Sequence, residues 1–281
     1  MTDKPAATVL REALSERFGE DFAIDESLPG LDELARIADH RTHRRFLDQA
    51  VTPELLRLIC ACALSAPSKS DLQQCDLVIV SDPGKRQAIA AKIPDMPWIA
   101  TAPAFLIVAG NARRLPAIAH LRDKPFPNDH LDLFFNAVAD SGIVLATFIR
   151  AAEAVGLGCC PISAVRDHAS FVSDCLALPQ RVFPLAGVCV GWPSQRGHLS
   201  PRLGLDATLH RDRHDEGDLA RSIDVYDRRR AAGRPPIRQR DPERFGVAPF
   251  YGWSEDKARQ YAEPLRADFG DFVRAKGFRL D

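Results

Sequence analysis

Ala104-Phe105-Leu106-Ile107-Val108-Ala109 is an unbroken apolar hexapeptide, too short and too β-branched to be a helix, so it reads as a buried strand. Asp76-Leu77-Val78-Ile79-Val80 reads the same way. A third strand candidate is Leu185-Ala186-Gly187-Val188-Cys189-Val190, closed by Gly191-Trp192-Pro193. Between the first two, Gly84 to Lys92 suits a short helix. Helices and few strands alternate without a clean βαβ rhythm, which predicts an α+β fold rather than a doubly wound sheet.

Outward from these strands, Thr52-Pro53-Glu54 carries a capping hydroxyl, proline at the first helical position and an acid in the first turn. That is a helix start, and the helix should stop before Pro67. Asn128 or Asp129 is expected to cap a long helix reaching Val155, with Gly156 as its stop. Apolar residues cover most of its sides, as in a helix buried centrally or in a dimer interface. Residues 1–39 read as a helical N-terminal extension and 40–281 as the main domain, with 205–281 a C-terminal extension. Residues 228–240 hold six arginines and two prolines and predict a loop or arm. Ser254 is expected to start a final amphipathic helix running towards Lys276.

Composition excludes several function classes. Of 281 residues, 46% are hydrophobic and 27% charged, which supports a sizeable core and argues against disorder. Lys plus Arg number 37 against 38 Asp plus Glu, a balance that favours neither nucleic acid nor an anionic membrane as partner. The first 30 residues mix charges with short apolar runs and hold no secretory h-region. The long apolar segment from Leu131 to Val155 includes Asp132, Asp140, Arg150 and Glu153, so a membrane span is not expected. Seven cysteines, an odd count, read as reduced thiols in a cytoplasmic protein.

Familiar catalytic devices are missing from the sequence. It has no G-x-x-x-x-G-K-[ST], no G-x-G-x-x-G after a strand, no G-x-S-x-G, no H-E-x-x-H and no paired C-x-x-C. Cys159-Cys160 is vicinal, and Cys60 and Cys62 lie two apart on a helix, pointing away from each other. Both pairs read as small core residues. A metal shared by His40 and His43 is rejected because the surrounding arginines would repel a cation.

Two constellations remain. His40-Arg41-Thr42-His43-Arg44-Arg45-Phe46 packs cations around one hydroxyl and ends on an aromatic. A phosphate monoester wants such donors, although alone the cluster is more simply a solvated basic turn. Ser65-Ala66-Pro67-Ser68-Lys69-Ser70-Asp71-Leu72-Gln73 lies between a helix end and a strand. Its donors and acceptors suit a ribityl chain or a flavin edge, or equally helix capping and turn formation.

Together these segments resemble the nitroreductase family: an R-[ST]-x-R-x-F cluster, then a helix ending in A-P-S with glutamine five residues beyond the serine, then a strand. Gly156-Leu157-Gly158-Cys159-Cys160-Pro161-Ile162-Ser163-Ala164 is similar to that family's G-L-G segment. Gly191-Trp192-Pro193 with Leu199-Ser200-Pro201-Arg202-Leu203 is similar to its G-[WY]-P and K-P-R-L signature. The layout is most similar to the NADPH-dependent, oxygen-insensitive nitroreductase and flavin reductase type, with Tyr226-Asp227, the arginine loop and the last helix having counterparts. The resemblance runs from about His40 to the end.

The resemblance implies a central, mostly antiparallel sheet flanked by helices, an intertwined homodimer with the flavin between subunits, and FMN as cofactor with NADPH or NADH as donor. Acceptors would be small, planar and oxidised: nitroaromatics, quinones or flavins. The hydride would pass in a ping-pong scheme needing no dedicated catalytic side chain. His40, Arg41 and Thr42 would hold the phosphate and ribityl chain, and Arg44 would lie near the pyrimidine edge. Ser68, Ser70, Asp71 and Gln73 would line ribityl and ring contacts. Pro161, Ile162, Ser163 and Ala164 would cover one ring face, and Arg202 would complete the phosphate site. Four residues depart from the pattern: Ser200 replaces a lysine, Asp71 an asparagine, and Ser163-Ala164 a glycine-rich pair. Asp71 and Ser163 leave room for a flavin-dependent dehydrogenase or reductive dehalogenase with a dedicated metabolic substrate; the other readings are a non-catalytic FMN-binding protein and an interaction module without flavin.

Overall fold

A computed structural model describes residues 4–233 and 238–281. In chain order the helices and strands are α1 (Ala6–Phe18), α2 (Leu31–Ala38), α3 (Pro53–Leu64), β1 (Cys75–Ile79), α4 (Pro83–Lys92), α5 (Trp98–Thr101), β2 (Ala104–Asn111), α6 (Arg114–Leu121), α7 (Leu131–Ala154) and β3 (Gly158–Ile162). There follow α8 (Ala169–Cys175), β4 (Val182–Gly191), α9 (Leu219–Ala232), α10 (Pro242–Phe245), α11 (Trp253–Gln260) and α12 (Phe269–Ala275). Contacts divide the chain into two compact units, Met1–His40 with His198–Leu265, and Arg41–Gly197 with Arg266–Asp281.

The second unit is built on one antiparallel sheet of order β1-β2-β4-β3. Every residue of β2 is buried, because both faces of the strand are covered. Leu106 and Val108 join Val188, Val190 and Cys159 beneath α3 and α7. Phe105 and Ile107 join Cys160, Ile162 and Cys189 on the face carrying Ile89 of α4, Ile99 of α5 and Val172 of α8. Two covered faces leave no polar positions in the alternation, so the strand reads as a continuous apolar run. β1 is only partly buried, with Ile79 45% exposed, and so differs from the buried strand expected: it is an edge.

β3 escapes the sequence reading because Gly158 and Pro161 both demote a strand. The proline is tolerated by its register. Cys159 O points away from β4 to accept from His43 N at 2.9 Å. By the period of two, the missing N–H of Pro161 falls on that same outer side. Pro184 sits where β4 shifts register against β2, beyond the stretch that β3 pairs. A bulge of this kind spares a ladder bond.

Thr52 caps α3 as expected, its Oγ1 accepting from Leu55 N at 3.2 Å. Three expectations are corrected. α7 is capped by His130, whose Nδ1 accepts from Asp132 N at 3.3 Å, and not by Asn128 or Asp129. The Asp129 carboxylate is engaged by Arg181, at 2.6 and 2.8 Å. Residues 228–232 are helical: arginine favours helix, Arg228 pairs with Asp224 one turn back at 2.8 Å, and nothing breaks the helix before Gly233. Residues 234–237 of the expected loop lie outside the described residues. Finally, the single helix expected from Ser254 to Lys276 is two, α11 and α12. Pro264 and the left-handed Arg266 (φ 56°) interrupt it.

By length and composition, α7 is the one helix among the described residues that could cross a membrane. Its Leu133, Ala137, Val144, Phe148 and Ala152 are instead buried in the protein core, while Leu131, Phe135 and Ile143 are exposed.

The Arg181 guanidinium holds the Asp129 carboxyl below its usual range. A depressed carboxylate contributes stability above its unfolded pKa and loses it as pH falls through the folded value. Asp129→Asn is therefore expected to cost about 1 kcal/mol at pH 7, with wild type and variant converging in acid. Urea denaturation at pH 7 and in the acid range measures this, and two parallel stability curves would contradict it.

Candidate functional site

The basic segment is an extended ribbon rather than a solvated turn. Thr42 forms a parallel bridge with Cys159, and Phe46 an antiparallel one with Pro193. His43 N donates to Cys159 O at 2.9 Å, Leu47 N to Trp192 O at 2.8 Å, and Ser194 N to Arg45 O at 3.1 Å. The segment thus satisfies the outer edge of β3, whose backbone groups would otherwise face solvent unpaired. Close approach requires glycine here: a Cβ on Gly158 would lie 2.6 Å from His43 Nδ1, and one on Gly197 3.0 Å from Thr42 O. Arg41, Thr42 and Arg44 are thereby aligned beside the strand that leads into Pro161-Ile162-Ser163-Ala164.

The Arg44 guanidinium carbon lies 5.6 Å from the centroid of the Trp98 indole, within cation–π range. Pro161 and Ser163 are exposed and Ala164 half-buried, but Ile162 is in the core, so only its backbone is open to a ligand. Ser163 Oγ accepts from Arg266 at 3.4 Å, and Arg266 pairs with Asp167 at 2.5 Å. Burial pushes the thiols of Cys159, Cys160 and Cys189 up, with Arg44 pulling against it at Cys160. Thiols of this kind are inert at neutral pH, and the site has no activated sulfur nucleophile.

Ser68, Ser70, Asp71 and Gln73 form a second cluster. Ser70, Asp71 and Gln73 take left-handed backbone conformations, with φ of 51°, 57° and 52°, each costing a non-glycine residue roughly 1–2 kcal/mol. A carboxylate that the sequence reading missed holds them. Asp140, midway along α7 and 2% exposed, accepts from Ser68 Oγ (2.7 Å), Lys69 N (3.1 Å) and Gln74 N (3.0 Å). Ser68 Oγ in turn accepts from Gln73 N at 2.7 Å, and Gln73 Nε2 donates to Asp71 at 3.0 Å. Arg114, also missed, donates to Gln73 O at 2.5 Å and pairs with Asp76. Ser68, Asp71, Gln73, Arg114 and Asp140 line a cleft of about 850 Å³.

The ribbon and the Ser68 loop are not brought together within this unit. The ribbon borders β3 and the loop leads into β1, the two outer strands of the sheet. Three interstrand steps, roughly 14 Å in all, separate those edges. The remaining expected residues, His40, Ser200 and Arg202, belong to the other unit. There His40 O and Ser200 O accept from one guanidinium, that of Arg17, at 2.6 and 2.9 Å. Arg202 Nη1 turns back on Ser200 O and Pro201 O, both at 3.1 Å. Among the described residues, no group of three His, Cys, Asp or Glu could hold a metal. Asp140 had a signal, a lone carboxylate on the core side of an apolar helix. Arg17 had none, because the partners named here are main-chain carbonyls.

The sequence profile described as the nitroreductase family matches residues 37–192, more than half the chain. The chain belongs to the nitroreductase family. The profile of that family's C-terminal domain matches residues 200–281. The chain is similar to the Bacillus subtilis (strain 168) protein named FMN reductase (NAD(P)H), with 30% identity over 87% of this chain and 97% of that protein. It is 31% identical to the oxygen-insensitive NADPH nitroreductase of Salmonella typhimurium, over 66% of this chain and 77% of that protein. The solved structure of B. megaterium NfrA2 covers 89% of this chain and 98% of its own, at 31% identity and a TM-score of 0.79. The α+β fold with a four-stranded antiparallel sheet agrees with that neighbour.

Asp140→Ala would leave Ser68 Oγ and two backbone amides without their acceptor, beside three left-handed residues. The expected cost is about 2–4 kcal/mol, read from chemical denaturation. Selective loss of amide exchange protection at Lys69 and Gln74 should accompany it, and a variant with unchanged stability and protection would refute the anchoring role.

Proposed function

We propose that this chain is an FMN-dependent NAD(P)H oxidoreductase acting on small planar acceptors: nitroaromatics, quinones or flavins. The observation that carries the reading is the ribbon on β3, which aligns Arg41, Thr42 and Arg44 with the segment Pro161–Ala164. Its donor set fits FMN: guanidinium groups and a hydroxyl suit a phosphate and ribityl chain. Beside them lie an exposed backbone stretch and an aromatic-backed cation, suited to a flat ring. The names of the relatives, FMN reductase and NADPH nitroreductase, point to the same chemistry.

When bound, FMN supplies the hydride exchange between the nicotinamide donor and the acceptor. The protein's residues bind, orient and polarise. Arg41 and Thr42 would hold the phosphate and ribityl chain, and on the sequence resemblance His40 and Arg202 would serve the phosphate end, where Ser200 brings no charge of its own. Arg44, 5.6 Å from the centroid of the Trp98 indole, would stabilise negative charge on the pyrimidine edge. Pro161 to Ala164 cover one face of the ring. With no dedicated catalytic side chain in the site, donor and acceptor would be handled in separate half-reactions, a ping-pong scheme.

Ser68, Ser70, Asp71 and Gln73 act from a second subunit. The two clusters lie at opposite edges of one sheet, so a homodimer lets the loop of one copy meet the ribbon of the other. Exposed apolar side chains, Leu131, Phe135 and Ile143 on α7 with Leu58 and Leu64 on α3, supply surface for that association. All seven cysteines are free thiols, consistent with a cytoplasmic setting.

Purified protein should be yellow, and anaerobic NADPH should bleach its flavin absorbance. Colourless protein that cannot be reconstituted with FMN would refute the reading. Arg44→Ala and Arg202→Ala should each weaken FMN binding by about tenfold or more, roughly 1.4 kcal/mol. Full affinity in both variants would overturn the residue assignment while leaving the cofactor open.

A further inference from the structure

Arg17 lies in α1, ahead of residue 37 where the family match begins. Its side chain is buried, 6% exposed, and its guanidinium joins three separate stretches of main chain. Nε donates to Ala38 O at 2.6 Å, Nη2 to His40 O at 2.6 Å and Nη1 to Ser200 O at 2.9 Å. The carbonyl of Arg17 itself accepts from Arg202 N at 2.6 Å. Ala38 ends α2, where the helix dipole favours a cation. A planar guanidinium offers its donors in a fixed fork, so the three carbonyls must keep one mutual geometry.

The residues gathered in this way matter more than the packing they share. His40 opens the basic ribbon, and Ser200-Pro201-Arg202 is the segment read above as the phosphate end. That segment is held from its other side by α9. Tyr226 OH donates to Pro201 O at 3.3 Å, and Arg229 donates to Arg202 O. A Cβ on Gly19, the left-handed C-cap of α1, would fall 2.2 Å from Arg229 Nη1, so the end of α1 and Arg229 are fitted to each other. Ser200 carries no charge, but the Arg17 guanidinium adds a cation 2.9 Å from its carbonyl oxygen.

We propose that Arg17 is a positioning residue for the phosphate end of the flavin site. It fixes His40 against Ser200–Arg202 and adds positive charge behind them, without touching the ligand. This rests on the FMN reading above, and it assigns to the N-terminal helix a task the matched family region does not contain.

The phosphate is the difference between FMN and riboflavin, so the test compares the two ligands on full-length flavin-free protein by fluorescence titration. Arg17→Met keeps the aliphatic stem and removes the fork and the charge. It should raise the FMN Kd by about tenfold or more, as loss of a charge-assisted anchor does, while riboflavin affinity moves by less than about twofold. Equal weakening of both ligands, or an unchanged ratio, would overturn the proposal, because a merely structural role would not single out the phosphate. Should Arg17→Met fail to fold, Arg17→Lys decides: one ammonium cannot reach three carbonyls in the same geometry, so the FMN-to-riboflavin preference should still fall several-fold. A lysine variant with the wild-type preference would refute it. Wild-type protein that binds neither flavin would sink the FMN reading itself, a distinct result.

Discussion

The outer edge of β3 has to be satisfied, and the shape of the basic ribbon follows from how that is done. An edge strand presents a row of unpaired amides and carbonyls. Here the main chain around Thr42 and His43 supplies partners, and Pro161 removes one donor where none is wanted. A sheet-edge requirement thereby converts an arginine-rich stretch, which would scatter its charges in water, into an ordered row of cations and a hydroxyl. The glycines at 158 and 197 are the steric condition for that approach. The donor geometry is a by-product of backbone pairing, which gives it rigidity that surface side chains alone would lack.

The opposite edge solves a different problem with a buried charge. Three left-handed residues within four positions, Ser70, Asp71 and Gln73, would not persist alone. Asp140 offers three short acceptor contacts from inside the protein and makes the loop's shape part of the core. A carboxylate at this depth would be costly without such donors. Strain at a loop and burial of a charge, each unfavourable alone, stabilise one another. The two clusters thus sit at the two outer strands of one sheet, each held by a different device.

Much of this was legible in the residues. Thr52-Pro53 marked a helix start that the structure keeps, and the apolar runs marked three of four strands. The Asn128 and Asp129 cap was misread because a nearby arginine, Arg181, competes for the Asp129 carboxylate and leaves His130 to cap. The arginines of α9 were misread because prolines and arginines shared one window, although the prolines come only after Gly233. The division of the last helix turned on Pro264, a local signal outweighed in reading by the amphipathic pattern on either side.

By itself the sequence determined which segments place the nitroreductase resemblance, since residue type and order along the chain need no coordinates: a basic cluster, a hydroxyl-rich turn, a G-L-G stretch and an S-P-R stretch. It also marked β2 as a buried strand, because its apolar run leaves no polar face to turn to water. Tertiary structure alone decided that Gly158–Ile162 is a strand, since a pairing partner and an outward-facing proline outweigh a weak local propensity. It alone decided that Asp140 and Arg17 matter, because each acts through contacts far along the chain that no spacing rule encodes. And it alone decided that the two clusters lie at opposite edges, for strand order is set by which pairings bury the most apolar surface, a property of the assembled sheet.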